Sequence, residues 1–307
     1  MPSATEIRQQ VERETERRSR LGVPAFAGGF LYLLSAIVIS GTLNGAPTVG
    51  LVEALTPALS GVATPSVSPR TDEVKFISHH AFSLVAGSVL AAVSVGILTL
   101  VLLVLLDATR FRRPTTWSAA RPLVIFGGVA VASVSIAHQA ISAIETHNFA
   151  VGHNFSNHAV NQAITESTPN VVVEYIDLVA GLALAAGLVA VMINALRVGL
   201  VPRWMGILGM FTALLIFLPI GGAELQVVPA LWIVMMGMLY IGRWPNGDPP
   251  AWAAGEARPW PSQAEMRAAK RGEGGTGSTG AGDVVPAPAQ PAAFPSSRKR
   301  RKRGSSA

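Results

Sequence analysis

The chain has no cysteine in 307 residues. It therefore forms no disulfide, binds no metal through thiolate, holds no iron–sulfur cluster and uses no cysteine nucleophile. Charge is scarce as well: Asp, Glu, Lys and Arg make up 14% of the residues against 50% hydrophobic ones. With a mean hydropathy of +0.43, that balance excludes an ordinary water-soluble surface and points to a membrane protein. Lysine is rare beside arginine, four of the 24 basic residues. Absent too are H-E-x-x-H, G-x-S-x-G, a P-loop and paired C-x-x-C, so hydrolase, kinase and thiol-redox readings have no motif behind them.

What is present is a series of long apolar runs. A bilayer core of about 30 Å takes roughly 20 apolar helical residues. Six segments approach or exceed this, at 22–43, 81–106, 122–144, 171–196, 204–220 and 225–242. The expected fold is all-α, a polytopic membrane bundle of six transmembrane helices. The last two segments are short, contain Pro219 and Pro229, and turn through Gly221, Gly222, Ala223 and Glu224; a full hairpin is expected in preference to a re-entrant pair.

Basic residues orient the bundle, because positively charged flanks stay cytoplasmic. Five precede the first segment, Arg110, Arg112, Arg113 and Arg121 join the second to the third, Arg197 and Arg203 follow the fourth, and eleven follow the sixth. Only Arg70 and Lys75 fall on the other side, so both termini are expected inside, in a bacterial inner membrane. Trp117, Trp204 and Trp244 lie at the same expected boundary, where an indole favours the headgroup level. The first segment reads as a retained anchor. Its charged lead-in and long apolar run do not fit a cleaved signal peptide.

Three domains follow: a charged cytoplasmic helix over 1–21, a transmembrane domain over 22–242 and a disordered cytoplasmic tail over 243–307. Ser3 and Glu6 have capping-box spacing, Glu14 and Arg18 stand at i,i+4, as do Glu16 and Arg20, and the expected helix is a solvated lead-in. External loops are expected at 44–80 and 145–170. In the first, Val49, Val52, Leu55 and Leu59 suggest a short interfacial helix; in the second, Asn154-Phe155-Ser156 is a chance match to a glycosylation sequon. The tail is rich in Pro, Gly, Ala and Ser, too poor in large apolar groups to offset the entropy of ordering. Ser262 and Glu265 mark one short helix in it, and the G-x-G-x-x-G match at 275–280 follows no strand and is rejected as a nucleotide site. The tail ends in Arg298, Lys299, Arg300, Arg301, Lys302 and Arg303, a run expected to contact anionic phospholipid headgroups without specific nucleic-acid binding.

All six histidines fall on the outer half of this plan. His138, Ser142 and Glu145 share a face of the third segment, Glu174 and Asp177 stand at i,i+3 on the fourth, and Glu224 occupies the last external turn. With His79 and His80, the residues His138, Glu145, Asp177 and Glu224 are the candidates for one polar vestibule. Its ligands would suit a divalent metal, protons or a cationic solute, and the spacing selects none of these. The bland alternative is a set of near-interface groups satisfied by water. Gly181 with Ala185, Ala183 with Gly187 and Gly87 with Ala91 allow close helix approach, chiefly for packing, with a homo-oligomer as the alternative use.

The run Asp107-Ala108-Thr109-Arg110-Phe111-Arg112-Arg113-Pro114 and the segment Arg197-Val198-Gly199-Leu200-Val201-Pro202-Arg203-Trp204-Met205-Gly206 resemble the cytoplasmic loops of uncharacterised multi-pass membrane proteins from actinobacteria. The resemblance extends over roughly 22–271. It implies a membrane fold and carries over no catalytic residue. The expected function is a non-enzymatic membrane scaffold or accessory protein without a cofactor. The alternative is a transporter or sensor that uses the vestibule for a small solute, a metal ion or protons.

Overall fold

The structure is a computed structural model that describes residues 3–50, 52, 59, 67–152, 154–218, 225–245 and 247–260. The described residues are helical, with no strand among them. In chain order the helices are α1 (Ala4–Leu43), α2 (Thr71–His79), α3 (Ala81–Arg112), α4 (Ala120–Val151), α5 (Asn157–Asn161), α6 (Thr168–Val198), α7 (Arg203–Phe217), α8 (Val227–Ile241) and α9 (Pro250–Ala254); a π-helical turn, Gln162–Glu166, joins α5 to α6. Four helical runs are long and apolar enough to cross a membrane: α1, α3, α4 and the stretch from α5 through α6. The other two expected spans are helices of 15 residues each, α7 and α8, about 22 Å long at 1.5 Å per residue. Glu224, the polybasic run, the Ser262 cap and the glycine-rich match lie outside the described residues, as does most of the short helix expected around Val52.

Local chemistry sets the helix ends. Ser3 and Glu6 close the expected capping box at the start of α1. Ser167 caps α6, Pro169 follows in its first turn, and Gly199 ends it with φ 81°, a left-handed conformation that glycine adopts without a Cβ penalty. The charged lead-in and the first apolar segment are one helical rod of 40 residues, running through Pro24 to Leu43.

The helices form a ring. Going round it, α1 packs on α3, α3 on α4, α4 on α6, α6 on α7, α7 on α8 and α8 back on α1, while α3 also touches α6. Glycine sets the closest approaches: a side chain on Gly127 would collide with the Leu184 backbone, and one on Gly237 with the Phe26 backbone. The main core draws Leu98, Leu102, Leu105 and Leu106 from α3, Leu184, Leu188 and Met192 from α6, and Trp232, Ile233 and Met236 from α8. These residues concentrate toward the C-terminal ends of α3, α6 and α8, so one end of the bundle is closely filled. Its outside is apolar: Phe30, Leu34, Val93, Leu100, Phe126, Val129, Leu182, Ile207 and Phe211 are all exposed. Such a belt is costly in water and suited to lipid.

At the opposite end the two connecting loops meet. Val74 of α2, Phe149 of α4, Val160 of α5 and Ala163 of the π turn form a second small core. The Ser68 amide donates to the Phe155 carbonyl at 2.7 Å, and Lys75 Nζ lies 4.6 Å from the centre of the Phe155 ring. The expected separate loops are thus one cap.

Candidate functional site

The filled end of the bundle carries a buried ionic lock. Arg112, at the last turn of α3, directs Nη1 and Nη2 to the Glu14 carboxylate at 2.8 and 2.7 Å. The two side chains are 0% and 5% exposed. The remaining donors of Arg112 are taken by the carbonyls of Ala108 and Ala251. One turn further along α1, Arg18 Nη2 donates to the Leu239 carbonyl at 2.6 Å and to Asp248 at 3.1 Å. Both guanidinium groups face the Trp252 ring, at 4.4 Å for Arg18 and 5.6 Å for Arg112. Trp252 Nε1 in turn donates to the Leu200 carbonyl at 2.9 Å, and Tyr240 Oη to that of Val101 at 2.8 Å.

Two expectations change here. The lead-in helix is not merely solvated: Glu14 and Arg18 are buried, and each has taken a distant partner in place of the other. Glu16 and Arg20 do pair as expected, at 2.6 Å. Nor is the chain free of structure from residue 243. Residues 247–260 run across the ends of the helices, with α9 burying Ala251 and Trp252, the Arg258 amide bonded to the Val198 carbonyl at 3.0 Å, and Arg203 donating to the Trp260 carbonyl at 3.1 Å. Composition obscured this strap, because one tryptophan within reach of two guanidinium groups anchors a stretch otherwise made of small residues.

At the other end, the candidate ligands separate into those that meet and those that do not. His79 and His80 each donate Nδ1–H to a carbonyl of their own helix, Lys75 at 2.7 Å and Phe76 at 2.9 Å, and His80 stacks on Phe76. Glu145 is half-buried and lies two turns beyond His138. His138 and Asp177, by contrast, line one cavity of 220 Å³ together with Ile39, Ser88, Ala91, Val134, Ser135 and Gln139. Asp177 also lines a neighbouring cavity of 560 Å³ that includes Glu174, Tyr175 and Phe217. Among the described residues no three His, Asp or Glu side chains come close enough to hold a metal ion.

The register of the helices explains why these two meet. On α4 the inward stripe runs Val124, Gly128, Val134, His138, Thr146, Phe149; on α6 it runs Leu184, Ala180, Asp177, Val173, Asn170. On these faces His138 and Asp177 are exposed and Val131, Ser142 and Glu145 half-buried, while the other residues named are buried. Below them the helices are in contact, since a side chain on Gly128 would strike Thr99 and one on Gly127 would strike Leu184. Above them sits the cap. The opening is a chamber with this helix contact as its floor, about 26 Å along α4 from Arg121.

Comparison of the chain with family models, curated proteins and solved structures gives no match.

Proposed function

We propose that the chain is a non-enzymatic multi-pass membrane protein, a scaffold or accessory subunit of a bacterial inner membrane, with six crossings and both termini in the cytoplasm. The observation that carries the reading is the lock among Glu14, Arg112 and Trp252. It ties the start of α1, the α3–α4 turn and the segment after α8 into one platform at a single end of the bundle. That end also bears Arg110, Arg113, Arg121, Arg197 and Arg203, the flanking charge expected of a cytoplasmic face. Return of the chain to this end implies an even number of crossings, whether or not the α7–α8 hairpin reaches the far surface.

The ionic groups at the platform serve structure, and the chamber on the far side ends on the contact of Thr99, Gly128 and Leu184. Both features favour a presenting role over passage of a solute through the bundle. In the same reading, Arg298, Lys299, Arg300, Arg301, Lys302 and Arg303 contact anionic headgroups, and the loops at 107–114 and 197–206 ally the chain with multi-pass proteins of actinobacteria. The test is a photo-crosslinking residue placed in living cells at Arg13 or Arg17 on the platform, and at Phe126 on the apolar belt. A discrete protein adduct at the platform positions and none at Phe126 supports the reading. Vectorial solute flux by the purified protein in liposomes, with no platform adduct, overturns it.

A further inference from the structure

The chamber around His138 and Asp177 has a chemistry that the platform does not use. Asp177 places a carboxylate between α3, α4 and α6 at the outer edge of the bundle, and no group among the described residues donates a hydrogen bond to it. Gln139 and His138 make no hydrogen bond among the described residues either. The hydroxyls of Ser88 and Ser135 give their protons to Val85 and Val131 of their own helices, which leaves their oxygens as acceptors. No Lys or Arg lines either cavity. A carboxylate so placed, beside apolar walls and with the His138 ring as its one titratable neighbour in the smaller cavity, attracts a cation.

Size and lining select the kind of cation. A bare divalent metal needs more protein ligands than this pair supplies, and 220 Å³ is far more room than it would fill. Ile39, Ala91 and Val134 form an apolar wall suited to a short alkyl group, opposite acceptors that suit N–H donors. We propose that the chamber is a binding site for a small organic ammonium ion. Its head donates to Asp177, with the Gln139 carbonyl, the serine oxygens and the His138 ring within the same cavity. The alkyl part lies against Ile39, Ala91 and Val134.

Isothermal titration of the full chain in neutral phosphatidylcholine nanodiscs with isobutylammonium tests this, with isobutanol as the uncharged counterpart. One saturable site for the amine and none for the alcohol is expected. Asp177→Asn, at an exposed position, should weaken binding by about tenfold to a hundredfold, the range for a charge-assisted hydrogen bond. Ala91→Leu, which fills the cavity and keeps the carboxylate, should weaken it as well, and it carries the test if the Asp177 variant fails to fold. Absence of saturation in the native chain, equal binding of the alcohol, or unchanged affinity in folded Asp177→Asn overturns the proposal.

Discussion

Glu14 and Arg112 stand 98 positions apart in the chain and meet through two charge-assisted hydrogen bonds of 2.8 and 2.7 Å, almost wholly out of solvent. Such a pair contributes little over a well-packed apolar substitute, but its members depend on each other. Glu14→Leu or Arg112→Met alone should lower stability by about 3–5 kcal/mol, because each strands a buried charge. The double variant Glu14→Leu with Arg112→Met should recover much of that loss. Thermal unfolding of the four proteins in one detergent gives the coupling directly.

Trp252 holds the strap. Its replacement by alanine removes a side chain that is 3% exposed, with its cation–π contacts to Arg18 and Arg112, and should cost about 3–5 kcal/mol. A chain ending at residue 246 should likewise unfold at a lower temperature than one ending at residue 260. Equal midpoints for those two chains would show that the strap contributes nothing.

Close helix contacts should be intolerant of side chains. Gly127→Val and Gly237→Val each force a side chain into the backbone of a neighbouring helix, and should destabilise by at least the ~1–3 kcal/mol typical of overpacking. Gly181→Ala is the control: a Cβ there meets nothing nearer than Phe217 at 3.9 Å. Its unfolding midpoint should stay within about a degree of the native value, as expected for a substitution without steric conflict.

The long helices are legible in the sequence because apolar length is a local property, and the Ser3–Glu6 cap because its partners are three residues apart. The lock was hidden for the opposite reason. Glu14 has a plausible i,i+4 partner in Arg18, and nothing local says that Arg112 and Asp248 will claim the two instead. Trp252 was the available signal, a large aromatic stranded among prolines and alanines, and it is the residue that orders its surroundings. At the end that carries the cap, sequence spacing grouped six candidate ligands on one side, but among those described side-chain direction decides which meet. His79 and His80 turn back onto their own helix, whereas His138 and Asp177 face each other's helices where the bundle opens.

Acid should fray the start of α1. The Ser3 amide and hydroxyl hold the Glu6 carboxyl below its ordinary value of 4.5. A depressed folded value means that the capping contribution is fully present above the unfolded value and is lost as pH falls through the folded one. Amide exchange at Glu6 and Ile7 should accelerate in that acidic window relative to amides in the middle of α1. Glu6→Gln should remove most of the pH dependence.

Ser3 and Glu256 are expected on the same side of a membrane and Asn154 on the other. The lack of native cysteine makes this directly measurable. Single variants Ser3→Cys, Asn154→Cys and Glu256→Cys are treated in intact cells with a membrane-impermeant maleimide, then again after lysis. Labelling of the Asn154 variant in intact cells, with the other two reacting only after lysis, is the predicted result. Labelling of Ser3 and Glu256 from opposite sides, or recovery of the chain in the detergent-free soluble fraction, would contradict it.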